Sequence, residues 1–146
     1  MEMQKYTNTY HVRSYECDRN NNLRLVTLMN IFQDMAVLHA DAMGLGFAFC
    51  LSKGLAWVGS NYEVLIERLP KMNETITINT WPAVEKKAGT IRDFEVFAED
   101  GTRIIAASSQ WVLINIDRKR PVSLKENLPE YSILEERVLP TEFNGN

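Results

Sequence analysis

The chain has 146 residues, of which 45% are hydrophobic and 24% charged, with a formal net charge of -3; this fits one globular domain with a real core and would leave two domains cramped. So small a charge provides no field to attract nucleic acid, and no lysine- or arginine-rich helix suggests a membrane surface. Cys17 and Cys50 stand apart, without C-x-x-C spacing or clustered histidines, so neither a zinc site nor a disulfide framework is signalled, and a reduced, cytoplasmic setting is expected.

The amino-terminal stretch MEMQKYTNTYHV has no apolar region of secretory length, and no segment reaches about 18 uninterrupted apolar residues, so a soluble, unprocessed protein is expected. From Tyr6 to Arg13, Tyr6, Tyr10 and Val12 fall on one parity and Thr9, His11 and Arg13 on the other, which is strand periodicity. The elbow YECDRNNNLRL, Tyr15 to Leu25, leads into a helix whose Leu25, Leu28, Phe32, Met35, His39 and Ala42 recur at spacings of three and four, widened by Met29, Ala36 and Met43. Thr27 or a neighbour is expected to cap its start, and Gly44 with Gly46 to supply the left-handed stop. Between Thr27 and Met43 the only formal charges are Asp34 and Asp41, so this helix is expected to be covered on most sides.

Ala56 to Glu67, Glu74 to Trp81, Thr90 to Glu99 and Thr102 to Ile116 are rich in β-branched and aromatic residues and separated by turn chemistry, which predicts four further strands. Glu99-Asp100-Gly101 is a hairpin signal, and Pro121 is expected to end the last strand. Residues 124–146, with Pro129 and Pro140, read as a covering arm or the start of a linker after a single domain over 1–123. No internal repeat or low-complexity run is present. A strand, one long buried helix and then four antiparallel strands require a sheet that curls around the helix, an α+β arrangement known as the hotdog fold. A single copy leaves the first strand or its neighbour as an open edge, so a homodimer or a tandem second hotdog is expected.

Catalytic signals are weak. Asp18, Asn20, Asn21 and Asn22 sit at the mouth of the helix, where its dipole would favour a polarised carbonyl, but Asx residues serve equally well as turn formers. Hydrolysing a thioester without a metal needs a carboxylate or imidazole to activate water, and the elbow holds no histidine. His39 lies on the apolar stripe, where core packing competes with catalysis; His11 shares the polar face of the first strand with Arg13 and reads as structural or solvated. Asp34, beside Gln33, shares a narrow polar stripe with Asn30 and Asp41, so solvation competes with a catalytic role there too. Binding signals are stronger: Met29, Phe32, Met35 and Ala36, facing Trp57, could line an apolar slot or simply fill the core. The small residues of Ile104 to Ser109 leave room for a ligand or for close helix approach. Lys86-Lys87 and Arg118, Lys119 and Arg120 are small basic groups, either solvated turns or contacts for an acidic carrier. No dinucleotide or Walker loop, G-x-S-x-G elbow or H-E-x-x-H motif occurs, so no cofactor or metal is expected.

The V-R-S-Y-E opening, L-x-x-x-F-Q-D followed by His39-Ala40, Thr80-Trp81, G-T-x-R-D at Gly89 to Asp93, and Trp111-Val-Leu-Ile-Asn115 followed by Asp117 and Arg118 occur here in combination. From about Tyr10 to Val138 the chain resembles the amino-terminal half of the acyl-acyl-carrier-protein (acyl-ACP) thioesterases of plants and bacteria. That resemblance implies a hotdog fold and an enzyme that releases fatty acids from the carrier's phosphopantetheine arm. It also implies two tandem hotdogs, the first shaping the acyl pocket and the second holding an Asp, Asn and His cluster. No such cluster matches here, and Asn21-Asn22-Leu23 stand where the His and Asn would be wanted, so the elbow is expected to carry shape rather than chemistry and no catalytic residue is assigned to this chain. On the resemblance, Met29, Phe32, Met35, Ala36 and Trp57 would contact the alkyl chain and Arg118 to Arg120 would approach the carrier. Two alternatives stay open: a homodimeric thioesterase using Asp18, Asp34 or His39 across its interface, and a non-catalytic acyl-binding or dimerisation module.

Overall fold

A computed structural model describes residues 5–143; the first four residues, and residues 144–146 at the end of the expected arm, lie outside the described residues. Strands β1 (Tyr6–His11), β2 (Leu55–Ile66), β3 (Thr75–Glu85), β4 (Gly89–Phe97), β5 (Arg103–Asn115) and β6 (Arg120–Pro121) accompany helices α1 (Leu25–Ala42), α2 (Phe47–Ser52) and α3 (Leu124–Asn127). The sheet runs β1-β3-β4-β5-β2 with every pairing antiparallel, and β6 adds to β5. The curled sheet around one long helix expected from the element order is the architecture that forms. No described helix is long and apolar enough to cross a membrane.

Helix α1 places Leu28, Phe32, Met35, Ala36 and His39 against the sheet. Phe32 stacks on Phe94 of β4 with ring centroids 4.5 Å apart, at the centre of a cluster that includes Ile76, Ile78 and Ala107. The small side chains of β5 serve this approach, since Ala107 faces Phe94 across the ladder. Thr27 does not cap the helix: the N-cap is Arg24, whose backbone N–H donates to the Glu16 carbonyl and whose Nε donates to that of Cys17. Gly44 supplies the left-handed stop at φ +81°, whereas Gly46, at φ -84°, starts α2. A side chain at Gly46 would collide with Asp41, whose carboxylate accepts from Phe47 N at 3.2 Å.

Further expectations need correcting. Helix α2 is absent from the sequence pattern because six mostly apolar residues are too short to reveal a period. Strand β3 does not end at Trp81 but continues through Pro82 to Glu85 by a register shift, since β1 reaches only Thr80 and asks no N–H of Pro82. Pro121 does not end the last strand; Lys119 turns at φ +56° and Arg120–Pro121 fold back onto Ile114–Asn115. The helix also differs from expectation in being covered on its sheet side alone, leaving Leu25, Val26, Val37 and Leu38 exposed, Val26 by 65%.

Beyond α3 the arm bonds Leu134 N to the Pro82 carbonyl at 3.0 Å and crosses to the face of the sheet opposite α1. There Trp81 Nε1 donates to the Glu136 carbonyl at 2.8 Å, and Lys5 lies 4.4 Å from the Trp81 ring centroid. Fully buried Asp93 accepts from Arg137 Nε at 3.0 Å, Val138 N at 2.9 Å and Ser108 Oγ at 2.7 Å. With α1 on one face and the arm on the other, β4 is buried along nearly its whole length. Because Arg137 neutralises a carboxylate that water cannot reach, Arg137→Ala is expected to cost about 3 kcal/mol in urea unfolding, against less than about 0.5 kcal/mol for exposed Arg118→Ala. Equal midpoints for the two variants would refute this account of the arm.

Candidate functional site

In the carboxyl-terminal half of α1, Ala36 and Ala40, one turn apart, present little side-chain volume. A cavity of about 290 Å³ opens there, near the lower bound of small-ligand sites. Its walls are α1 (Gln33, Ala36, Val37, Ala40), the α1–α2 turn and α2 (Met43, Leu45, Phe47, Cys50, Leu51), β2 (Leu55, Ala56, Trp57) and Trp111 of β5. Pro82, Thr90 and Arg92 contribute from β3 and β4, and Tyr131 from the arm. Trp57 is fixed by donation from Nε1 to the Leu45 carbonyl at 3.2 Å. Trp111 donates to Ser109 Oγ at 2.8 Å, and its ring packs close to Gly59, where a Cβ would come within 3.2 Å of it. Phe47 and Leu51, 72% and 55% exposed, join Ile116 in leaving part of the lining apolar and open to water.

The polar part of the lining centres on Arg92, which keeps 6% of its surface exposed. Its Nη1 lies 2.9 Å from His39 Nδ1 and donates to Thr80 Oγ1 at 3.1 Å, while the Thr80 hydroxyl donates to the Asp93 carbonyl. A guanidinium only donates, so Nδ1 of His39 accepts and its proton sits on Nε2. Burial, reinforced by the Arg92 charge, lowers the His39 pKa to about 4, and Tyr6 stacks on the ring at 5.0 Å. Burial lowers Arg92 to about 10, which leaves it charged at neutral pH. Among the described residues no carboxylate forms a salt bridge with it. The Tyr131 hydroxyl is buried beside the Glu85 carboxylate, and burial, aided by the charge and hydrogen bonding of Glu85, pushes its pKa up. No three His, Cys, Asp or Glu residues converge to hold a metal among the described residues.

Of the residues expected at an alkyl pocket, Ala36 and Trp57 line this cavity; Phe32 and Met35 are wholly buried in the core, and Met29 packs against the same core. Helical periodicity shows which face of α1 meets the sheet but not where along its axis space remains. Asp18 accepts from Asn20 N at 2.8 Å and Asn22 N at 3.2 Å, and Asn21 takes φ +64°, so the elbow is a self-bonded turn. Asp34 is exposed and accepts from the Tyr10 hydroxyl at 3.4 Å, and His39 lies in the core behind Arg92. Arg118, Lys119 and Arg120 are exposed in the β5–β6 turn beside Ile116, and Lys86 donates to the Glu142 carbonyl. Sequence reasoning missed Arg92, Trp111, Tyr131 and the α2 residues as cavity walls; Arg92, a lone cation between Ile91 and Phe94, was the available signal.

The family model "Acyl-ACP thioesterase N-terminal domain" matches residues 3–131. A chloroplastic palmitoyl-acyl carrier protein thioesterase of Gossypium hirsutum is 30% identical over 131 residues, covering 84% of this chain and 32% of the relative. A chloroplastic oleoyl-acyl carrier protein thioesterase of Arabidopsis thaliana is 32% identical over 122 residues, covering 79% and 33%. The crystal structure of an acyl-ACP thioesterase from Bacteroides thetaiotaomicron superposes with a TM-score of 0.80 at 24% identity, over 96% of this chain and 57% of that one. At that identity the superposition speaks for the hotdog fold alone. The chain spans about a third of the length of the curated relatives it matches.

The His39–Arg92 contact sets a pH dependence. With its folded pKa near 4 and an ordinary value of 6.5, His39 takes up a proton in the unfolded chain first, so its contribution is complete above about pH 6.5 and is lost as pH falls toward 4. Glu74, held near 2 chiefly by its hydrogen bond with Arg68, acts in a separate window below pH 4.5. Between pH 6.5 and 4 the wild type is expected to lose up to about 3 kcal/mol more stability than His39→Gln. Parallel stability curves for the two proteins would show that His39 is not held neutral.

Proposed function

The chain belongs to the acyl-ACP thioesterase family, matching the model of its N-terminal domain, and from that premise we propose that it supplies the acyl-binding hotdog of an enzyme that hydrolyses fatty acyl thioesters of acyl carrier protein. The observation that carries the proposal is the apolar cavity beside α1, in which Ala36 and Trp57 form part of the wall and Phe47 and Leu51 remain open to water. An alkyl chain entering it would exchange water for apolar contact. The hydrolysis adds water across the C–S bond, giving a carboxylate and the carrier's free thiol, and requires a base that takes a proton from the water.

No carboxylate or imidazole is among the lining residues of the cavity. The proposed base therefore belongs to a second hotdog, in tandem or as a second copy, seated against this one. Two features support such a neighbour: β2 has no described partner on the side away from β5, and α1 leaves Leu25, Val26, Val37 and Leu38 exposed. Arg118, Lys119 and Arg120, beside Ile116, are proposed to meet the acidic carrier. Free, buried Cys17 and Cys50 support the proposed cytoplasmic setting.

The test is release of the carrier thiol from acyl-ACPs of graded chain length. Ala36→Phe fills part of the cavity, so hydrolysis of the longest accepted chain is expected to fall about tenfold or more while shorter chains are spared. An unchanged chain-length profile would remove Ala36 from the pocket. Absence of thiol release at every length from folded protein that includes the second hotdog would overturn the enzymatic reading, whereas absence from this hotdog alone is the outcome expected if the base lies in a tandem neighbour.

A further inference from the structure

An apolar cavity for an alkyl chain has no need of a cation, yet Arg92 is one of its walls. The guanidinium is buried and, among the described residues, no acidic side chain pairs with it; its hydrogen bonds to His39 and Thr80 both use Nη1. A buried cation held only by neutral groups is disfavoured. The Tyr131 hydroxyl in the same cavity is buried too, but it lies against the Glu85 carboxylate and needs no ligand to account for it. An anionic oxygen on a ligand would meet the need of the guanidinium. Phosphate and sulfate have no use for the surrounding Trp57, Ala36 and Phe47, which call for hydrocarbon on the same molecule.

We infer that the cavity is a receptor for an alkyl carboxylate, the carboxylate accepting hydrogen bonds from Arg92 and the chain lying against Trp57 and Ala36. This rests on the reading of the cavity as an alkyl-chain site and goes beyond it by assigning a charged terminus to the ligand. The carboxylate has two possible sources. It is either that of a free fatty acid, the product of thioester hydrolysis, or one at the far end of a dicarboxylic acyl group still joined to its thiol.

The test is the dissociation constant of decanoate and of decan-1-ol at pH 8, read by the fluorescence of Trp57 and Trp111 in the wall and checked by calorimetry. Decanoate is expected to bind about tenfold or more tighter than the alcohol, and Arg92→Met to abolish the difference while leaving decanol binding in place. Should Arg92→Met fail to fold, Arg92→Gln, which keeps a donor and removes the charge, is expected to weaken decanoate several-fold and decanol little. Pantetheine thioesters separate the sources: 9-carboxynonanoyl-pantetheine binding tighter than decanoyl-pantetheine in an Arg92-dependent way supports the dicarboxylic ligand, and equal binding of the two beside tight decanoate supports the free acid. Equal affinities of decanoate and decanol, unchanged by both variants, overturn the inference and leave the alkyl site standing. Binding of neither overturns both.

Discussion

Everything in this molecule follows from the requirement that one helix fill the hollow of one curled sheet. The stacked rings of Phe32 and Phe94 meet that requirement at the middle of α1, where Ala107 lets the helix come close. Toward the helix's carboxyl end His39 still meets the sheet, but Ala36 and Ala40 beside it leave part of the hollow unfilled. The cavity is thus where the packing gives out, and α2, the start of β2 and the arm enclose what α1 leaves open. The opposite face of the sheet faces no such shortage, because Asp93, Ser108 and Trp81 bind the arm through hydrogen bonds that few exposed loops make.

Much of the fold was legible because period and turn chemistry act locally. The eighteen residues of α1 and the four long strands that follow it could be read from spacing, and the hairpin at Asp100-Gly101 from a glycine that takes φ +90°. Helix α2 was not legible, being less than two turns long. Strand β4 concealed its own geometry: it is buried on both faces, so its pattern does not alternate, and nothing local shows that Arg92 faces the helix while Asp93 faces the arm. The pocket was half legible. Ala36 and Trp57 were within reach of pattern reasoning, but Phe32 and Met35 share the stripe of Ala36 and sit in solid packing, a difference set by volume along the helix axis. Tyr131 was out of reach, because its place depends on the path of an irregular segment.

The two ionisable groups at the centre of the site are tied to one another. Arg92 can be buried while charged in part because His39 and Thr80 offer it lone pairs, and His39 stays neutral in part because Arg92 is there. A positive end within an otherwise apolar space gives that space a direction: a ligand with one charged end has a preferred way round, whereas a plain hydrocarbon does not.

Tyr131 sits on a segment that belongs to no strand or helix, yet it forms part of the cavity wall. Residues of α1 and β4 that line the same space also hold the core, so changing them puts the fold at risk. The arm carries no such double duty at this position. Variation there could retune what the cavity accepts while leaving the folding core alone, which makes the segment after the domain the least constrained route by which selectivity in such a protein could drift.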